Sequence, residues 1–124
     1  MIFIDRSIPK SVATALKAVR NDVLWLEDRF VANTTDIEWL AEIGRLGWIA
    51  VLRDKRVNTR PGERLTIQHS GAGCFILNQG KDPTRWEYLK LLALTLDEME
   101  RRDGATARPY IFTVSKDGLF RQVL

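Results

Sequence analysis

The chain has 124 residues, 45% apolar and 28% charged, which suits one globular domain (residues 1–124) with a single modest core and excludes a disordered chain. No apolar run approaches the ~20 residues of a membrane span, and residues 1–5 do not read as a secretion signal. The single cysteine, Cys74, excludes an intramolecular disulfide and a zinc knuckle, so a cytoplasmic protein is expected.

Ile2, Phe3 and Ile4 form the short apolar run of a buried strand, closed by Asp5. Pro9 suits a helix start, and Val12, Leu16 and Val19 keep helical spacing. Residues 22–26 predict a second strand and residues 30–34 a loop. Thr35 with Glu38 three residues later has the form of a capping box. The helix it opens carries Ile37, Leu40, Ala41 and Gly44 on one face and stops near Gly47. Residues 48–52 predict a third strand ending in Arg53 and Asp54. A loop over residues 58–62 and a helical turn over 63–68 lead to a fourth strand over 74–77. Asp82 and Pro83 then open the longest helix, expected to bury Trp86, Leu89, Ala93 and Leu96, widened by Tyr88, Leu92 and Met99, and to end before Gly104. Residues 110–114 alternate as a strand. Lys116, Asp117 and Gly118 make a hairpin turn, and residues 119–123 return.

Strands alternating with helices predict a three-layer α/β/α fold with a mainly parallel sheet and a C-terminal antiparallel hairpin. In such a sheet the strands' C-terminal ends and the following helices' N-terminal ends share one rim, where ligands bind. Asp5, Asp36 and Asp54 fall on that rim, and Asp82 belongs there as well. Clustered carboxylates need a cation or donors to stay ionised, and hard divalent ions such as Mg2+ or Mn2+ prefer oxygen ligands. Such a site can activate water against a phosphodiester. Arg53, Lys55, Arg56, Arg60 and Arg64, offset by Asp54 and Glu63, carry the whole net charge of +3 and abut the rim, where they could hold a phosphate chain or simply be solvated. An acid at a helix start is often a cap or dipole partner, which accounts for Asp82, competes for Asp36 and fully explains Glu38. Asp5 and Asp54, each directly after an apolar strand, are poorly explained by packing.

The run Phe3-Ile4-Asp5-Arg6-Ser7-Ile8-Pro9 resembles the opening of small PIN-like domains. Thr35-Asp36-Ile37-Glu38-Trp39-Leu40, followed by Gly47-Trp48-Ile49-Ala50-Val51-Leu52-Arg53-Asp54, resembles their second block. The resemblance spans roughly the first half of the chain. It implies a PIN fold and an Mg2+- or Mn2+-dependent endoribonuclease, often a toxin of VapC type inhibited by an antitoxin encoded beside it. Carried over, the catalytic and metal-holding residues are Asp5, Asp36 and Asp54. Related chains often place a further aspartate two positions after the one matching Asp54, where this chain has Arg56. Glu38 is a candidate substitute, and RNA binding without cleavage is the alternative. RNA and a cognate antitoxin or a second copy are the expected partners.

A phosphoacceptor receiver domain is a rival reading, with Asp5, Asp54 and Lys116 in its acidic and lysine positions, though Asp5 lacks the usual paired acid. A non-catalytic interaction module is a third. His69 and Cys74 read as a surface residue and a core filler, and Trp39 and Trp86 as core residues.

Overall fold

The computed structural model describes residues 1–54 and 56–124. Among the described residues, six strands and six helices follow one another as β1 (Ile2–Ile4), α1 (Lys10–Lys17), β2 (Val23–Trp25), α2 (Leu26–Arg29), α3 (Asp36–Leu46), β3 (Ile49–Leu52), α4 (Arg56–Thr59), α5 (Pro61–Ser70), β4 (Gly73–Asn78), α6 (Arg85–Ala105), β5 (Tyr110–Ser115) and β6 (Phe120–Gln122). They build a single sheet in the order β2-β1-β3-β4-β5-β6, parallel except for the β5–β6 hairpin. This is the mainly parallel α/β/α architecture that the alternating pattern predicts.

The inner strands β1, β3, β4 and β5 are buried on both faces, and their period of two divides the core. Ile2, Ile4, Val51, Phe75, Leu77, Tyr110, Phe112 and Val114 face α1 and α6. Phe3, Ala50, Leu52, Cys74, Ile76 and Ile111 face the side that α2, α3, α4 and α5 cover. Phe75 stacks on Phe112 at 5.5 Å, and Phe3 packs on Trp39 at 5.3 Å. Cys74 is a core filler whose thiol is pushed up to about 12 by burial. The steps from β3 to β4 and from β4 to β5 cross the sheet in one direction, yet α5 and α6 lie on opposite faces, so these crossovers have opposite hands. The rim therefore has helices from both layers beside it. Among the described residues, no helix is long and apolar enough to cross a membrane.

Thr35 caps α3 as its sequence predicts, and Gly47 ends it at φ 73°, a left-handed cap that glycine adopts without Cβ strain. The buried face of α3 differs from the expected one. Trp39, Leu40, Ile43 and Gly44 are buried, while Ile37 and Ala41 lie outside, because the large Trp39 ring claims the space over Phe3. The stripe on α6 is likewise rotated. Tyr88, Leu91, Leu92, Thr95, Leu96 and Met99 are buried, and Trp86 is 63% exposed. Thr84, not Asp82, caps α6 through a capping box with Glu87, and the helix runs past Gly104 to Ala105. Short α2 and α4 fill segments expected to be strand end and loop, and α5 begins at Pro61, where proline needs no hydrogen bond for its missing N–H.

Candidate functional site

β1 sits between β2 and β3, so the connections leaving β1 and β2 run to opposite sides of it. That reversal opens a crevice beyond the C-terminal ends of β1 and β3, the usual ligand position in an open parallel sheet. Asp5 follows β1, and Arg53 and Asp54 follow β3. A cleft of about 470 Å³ lies there, lined by Ser7, Arg53, Asp54, Arg56, Leu77 and Gly80. Ser7 joins the two strand ends. Its N–H and hydroxyl donate to Asp5 Oδ2 at 3.1 and 2.6 Å, and its Oγ accepts from the Arg53 N–H at 2.9 Å. The Arg53 guanidinium donates to the Gly80 carbonyl across the cleft at 3.2 Å.

Asp5 is 4% exposed, and among the described residues its Oδ1 has no hydrogen-bond partner. Burial raises its pKa and the negative charge of Asp36 adds to the rise, while the two Ser7 hydrogen bonds oppose it. Asp36 is the first residue of α3, and its Oδ1 accepts from Trp39 Nε1 at 2.9 Å. Arg6 anchors the chain ahead of that helix by donating to the carbonyls of Ala32 and Thr34. Glu38 is engaged in its capping box, where its carboxylate accepts from the Thr35 N–H at 3.1 Å.

The fourth acid brought to this rim is Glu63, in the first turn of α5. It is buried, and its Oε2 has no hydrogen-bond partner. Burial raises its pKa. The charges of Asp36 and Asp54 raise it further, against the Arg60 hydrogen bond at 3.2 Å. In the sequence Glu63 reads only as an acid diluting a basic segment. Its position directly after Pro61 and Gly62, at a helix start on the same rim, is the signal that could have found it.

Asp54 is counter-charged. Its Oδ1 accepts from the N–H and Nε of Arg56, each at 3.0 Å, and Arg60 stands 3.9 Å from its Oδ2. Partial burial pushes its pKa up, but the Arg56 hydrogen bonds and the charges of Arg56 and Arg60 outweigh that and hold it below the ordinary value. Arg64 donates to Asn58. Arg53 lines the cleft, and Lys55 lies outside the described residues. The arginines expected to grip phosphate are thus partly committed to the acids beside them. Asp82 is exposed, outside the helix it was expected to open, with a positive φ of 49°. His69 is exposed, and Lys116 lines a different hollow, with Gln79 and Lys90, so the Lys116 of the receiver reading is not a lining residue of the Asp54 cleft.

The carboxylate oxygens on this rim are of the type a hard divalent cation prefers, and among the described residues the buried Asp5 Oδ1 and Glu63 Oε2 meet no donor, but their spacing is not that of a formed metal site. Among the described residues, no group of three or more histidine, cysteine, aspartate or glutamate side chains is gathered closely enough to hold a metal ion.

A family model described as a PIN like domain matches residues 1–79, which include Asp5, Ser7, Asp36, Asp54 and Glu63. No curated protein and no solved structure gives a significant match. The matched segment runs from β1 to the end of β4 and holds every carboxylate of the rim described above, and the chain belongs to the PIN-like domain family, whose fold is of the nuclease type.

Proposed function

We propose that this protein is a divalent-metal-dependent endoribonuclease acting in the cytoplasm, the toxin of a toxin–antitoxin pair. The observation that carries the reading is the buried Asp5 carboxylate. It sits at the reversal of strand order, oriented by Ser7 through one oxygen and left without a donor at the other. A purely structural aspartate in so dry a position would be expected to satisfy both oxygens. Asp5, Asp36 and Asp54, with Glu63 as a fourth carboxylate, are the residues that would hold Mg2+ or Mn2+ once drawn closer together than they stand in this structure. Once bound, such a cation supplies Lewis-acid activation of water and charge neutralisation at the phosphodiester. Ser7 fixes the Asp5 carboxylate, and Arg53 offers a cation to a phosphate in the cleft. Arg56 and Arg60 balance Asp54 and Glu63 when no cation does.

The test is cleavage of total RNA by the purified protein with and without added manganese. Wild type is expected to cut only with metal, and Asp5→Asn and Asp36→Asn, folded by circular dichroism, are expected to lose at least about 100-fold of that rate, the loss of a group that supports activated water. Cleavage that survives both substitutions would overturn the assignment. The pairing of Asp54 with Arg56 and Arg60 favours one second reading, an RNA-binding module without cleavage, which gains if wild type binds RNA yet leaves it intact with manganese. The toxin reading is tested by expressing the chain alone and with the product of a neighbouring small gene. Growth arrest relieved by that product is expected, and no arrest counts against it.

A further inference from the structure

A second group of cations follows the cleft-lining Gly80 along the chain: the loop after β4 and the first turns of α6 carry Lys81, Arg85 and Lys90, and α1, which packs on α6, opens on Lys10. Among the described residues none of these four cations is ion-paired with a carboxylate. Two acids share the segment. Glu87 is turned back onto the Thr84 N–H at 2.8 Å as part of the helix cap, and Asp82 is exposed. Beside Arg85 and Lys90 stands Trp86, 63% exposed, with Lys90 Nζ 5.8 Å from its ring centroid one helical turn on, while Lys10 lies over the Trp25 ring at 5.6 Å. Ser11, Val12, Arg85 and Leu89 complete a hollow of about 290 Å³ against the indole.

This basic segment is tied to the Asp54 cleft. Gly80 lines the cleft and accepts from Arg53, and the neighbouring Gln79 donates through Nε2 to the Glu87 carbonyl in the first turn of α6 at 3.1 Å. An exposed indole that already attracts the Lys90 ammonium, among cations free of ion pairs, suits a ligand with a flat π face and a repeating negative charge. A nucleotide strand has both. A duplex keeps its base faces stacked, so the strand must be single.

We propose that Trp86, with Arg85 and Lys90, is a base-stacking platform that holds single-stranded RNA where it leaves the cleft over α6 and α1. The proposal deepens the nuclease reading and rests on it for the identity of the strand as RNA. Trp86 takes a base on its exposed ring, and Arg85, Lys90, Lys81 and Lys10 meet the phosphates on either side.

The experiment measures anisotropy of a labelled 12-nucleotide single-stranded oligoribonucleotide in EDTA across a salt series, using the full chain, so that binding is read apart from cleavage. Trp86→Ala is expected to weaken binding about 5- to 100-fold, the usual effect of losing one stacked base. Trp86→Phe should recover most of the loss. Lys90→Ala should lower the slope of log Kd against log salt by about 0.7. Melting curves check folding, which an exposed residue should leave intact. Unchanged binding by folded Trp86→Ala overturns the platform even if manganese-dependent cleavage is found. Trp86-dependent binding with no cleavage by wild type upholds the platform and defeats only the nuclease. A Trp86→Ala variant that binds RNA normally but loses self-association in sedimentation also overturns it, in favour of a protein interface. Wild type that binds no RNA defeats both.

Discussion

The Ser7 hydroxyl donates to Asp5 Oδ2 at 2.6 Å, while the buried Asp5 Oδ1 has no hydrogen-bond partner among the described residues. One half of the carboxylate is fixed and the other is left open. Two consequences follow, one for stability and one for the acids around it.

Asp5→Asn should raise the melting temperature at neutral pH. Burial, aided by the charge of Asp36, raises the Asp5 pKa in the folded state above its ordinary value of 3.8. The folded protein then keeps the proton to higher pH than the unfolded chain, so stability falls as pH climbs from about 3.8 through the raised value. Asparagine removes that charge, so the midpoint should rise by a few degrees. The gain should vanish well below pH 3.8, where the aspartate is protonated in both states. A neutral-pH melting temperature lower than wild type would mean that the charge is stabilising and that its orphaned oxygen is satisfied.

Asp54→Asn should do the reverse. Its pKa is depressed, so its ionised form contributes stability above 3.8 that is lost as pH falls through the lower folded value. The Arg56 partner is 70% exposed, which limits the pair to about 0–1 kcal/mol. A small drop in melting temperature at pH 7, screened by 1 M salt and absent near pH 2, is expected. Calorimetry on the two single variants and their double variant checks both signs together.

Gly73→Ala tests the sheet away from the rim. A Cβ at Gly73 would meet the Tyr110 ring at 2.5 Å. Tyr110 is fully buried and its hydroxyl donates to Asp103 Oδ1 at 2.8 Å, so the ring cannot yield. The same aspartate accepts from Arg108 at 2.7 Å. Overpacking of this kind costs about 1–3 kcal/mol. The variant should melt several degrees lower by circular dichroism, yet keep its RNA affinity per folded molecule, because Gly73 begins β4 at the end opposite the cleft. Reduced affinity at full folding would show that the strain reaches the rim.

Local sequence patterns set the order of the strands and of the longer helices, though not α2 and α4, and with it the rim. Apolar runs ending in Asp5 and Asp54, and the Thr35 capping box that brings Asp36 to a helix start, are local patterns. A parallel sheet turns local order into common placement. The tertiary structure decided what depended on neighbours distant in the chain. The faces of α3 and α6 were ambiguous because a 3.6-residue period admits two overlapping stripes. Packing of Trp39 on Phe3 resolved the first. Packing of α6 on α1 turned the second and left Trp86 outside. The helix start at Pro61 hints at Glu63, but only the folded α5 brings its carboxylate within electrostatic reach of Asp36 and Asp54. The roles of Arg56 and Arg60 are likewise tertiary. A run of cations says how much charge a segment carries, and only the fold shows that Asp54 and Glu63 already answer part of it.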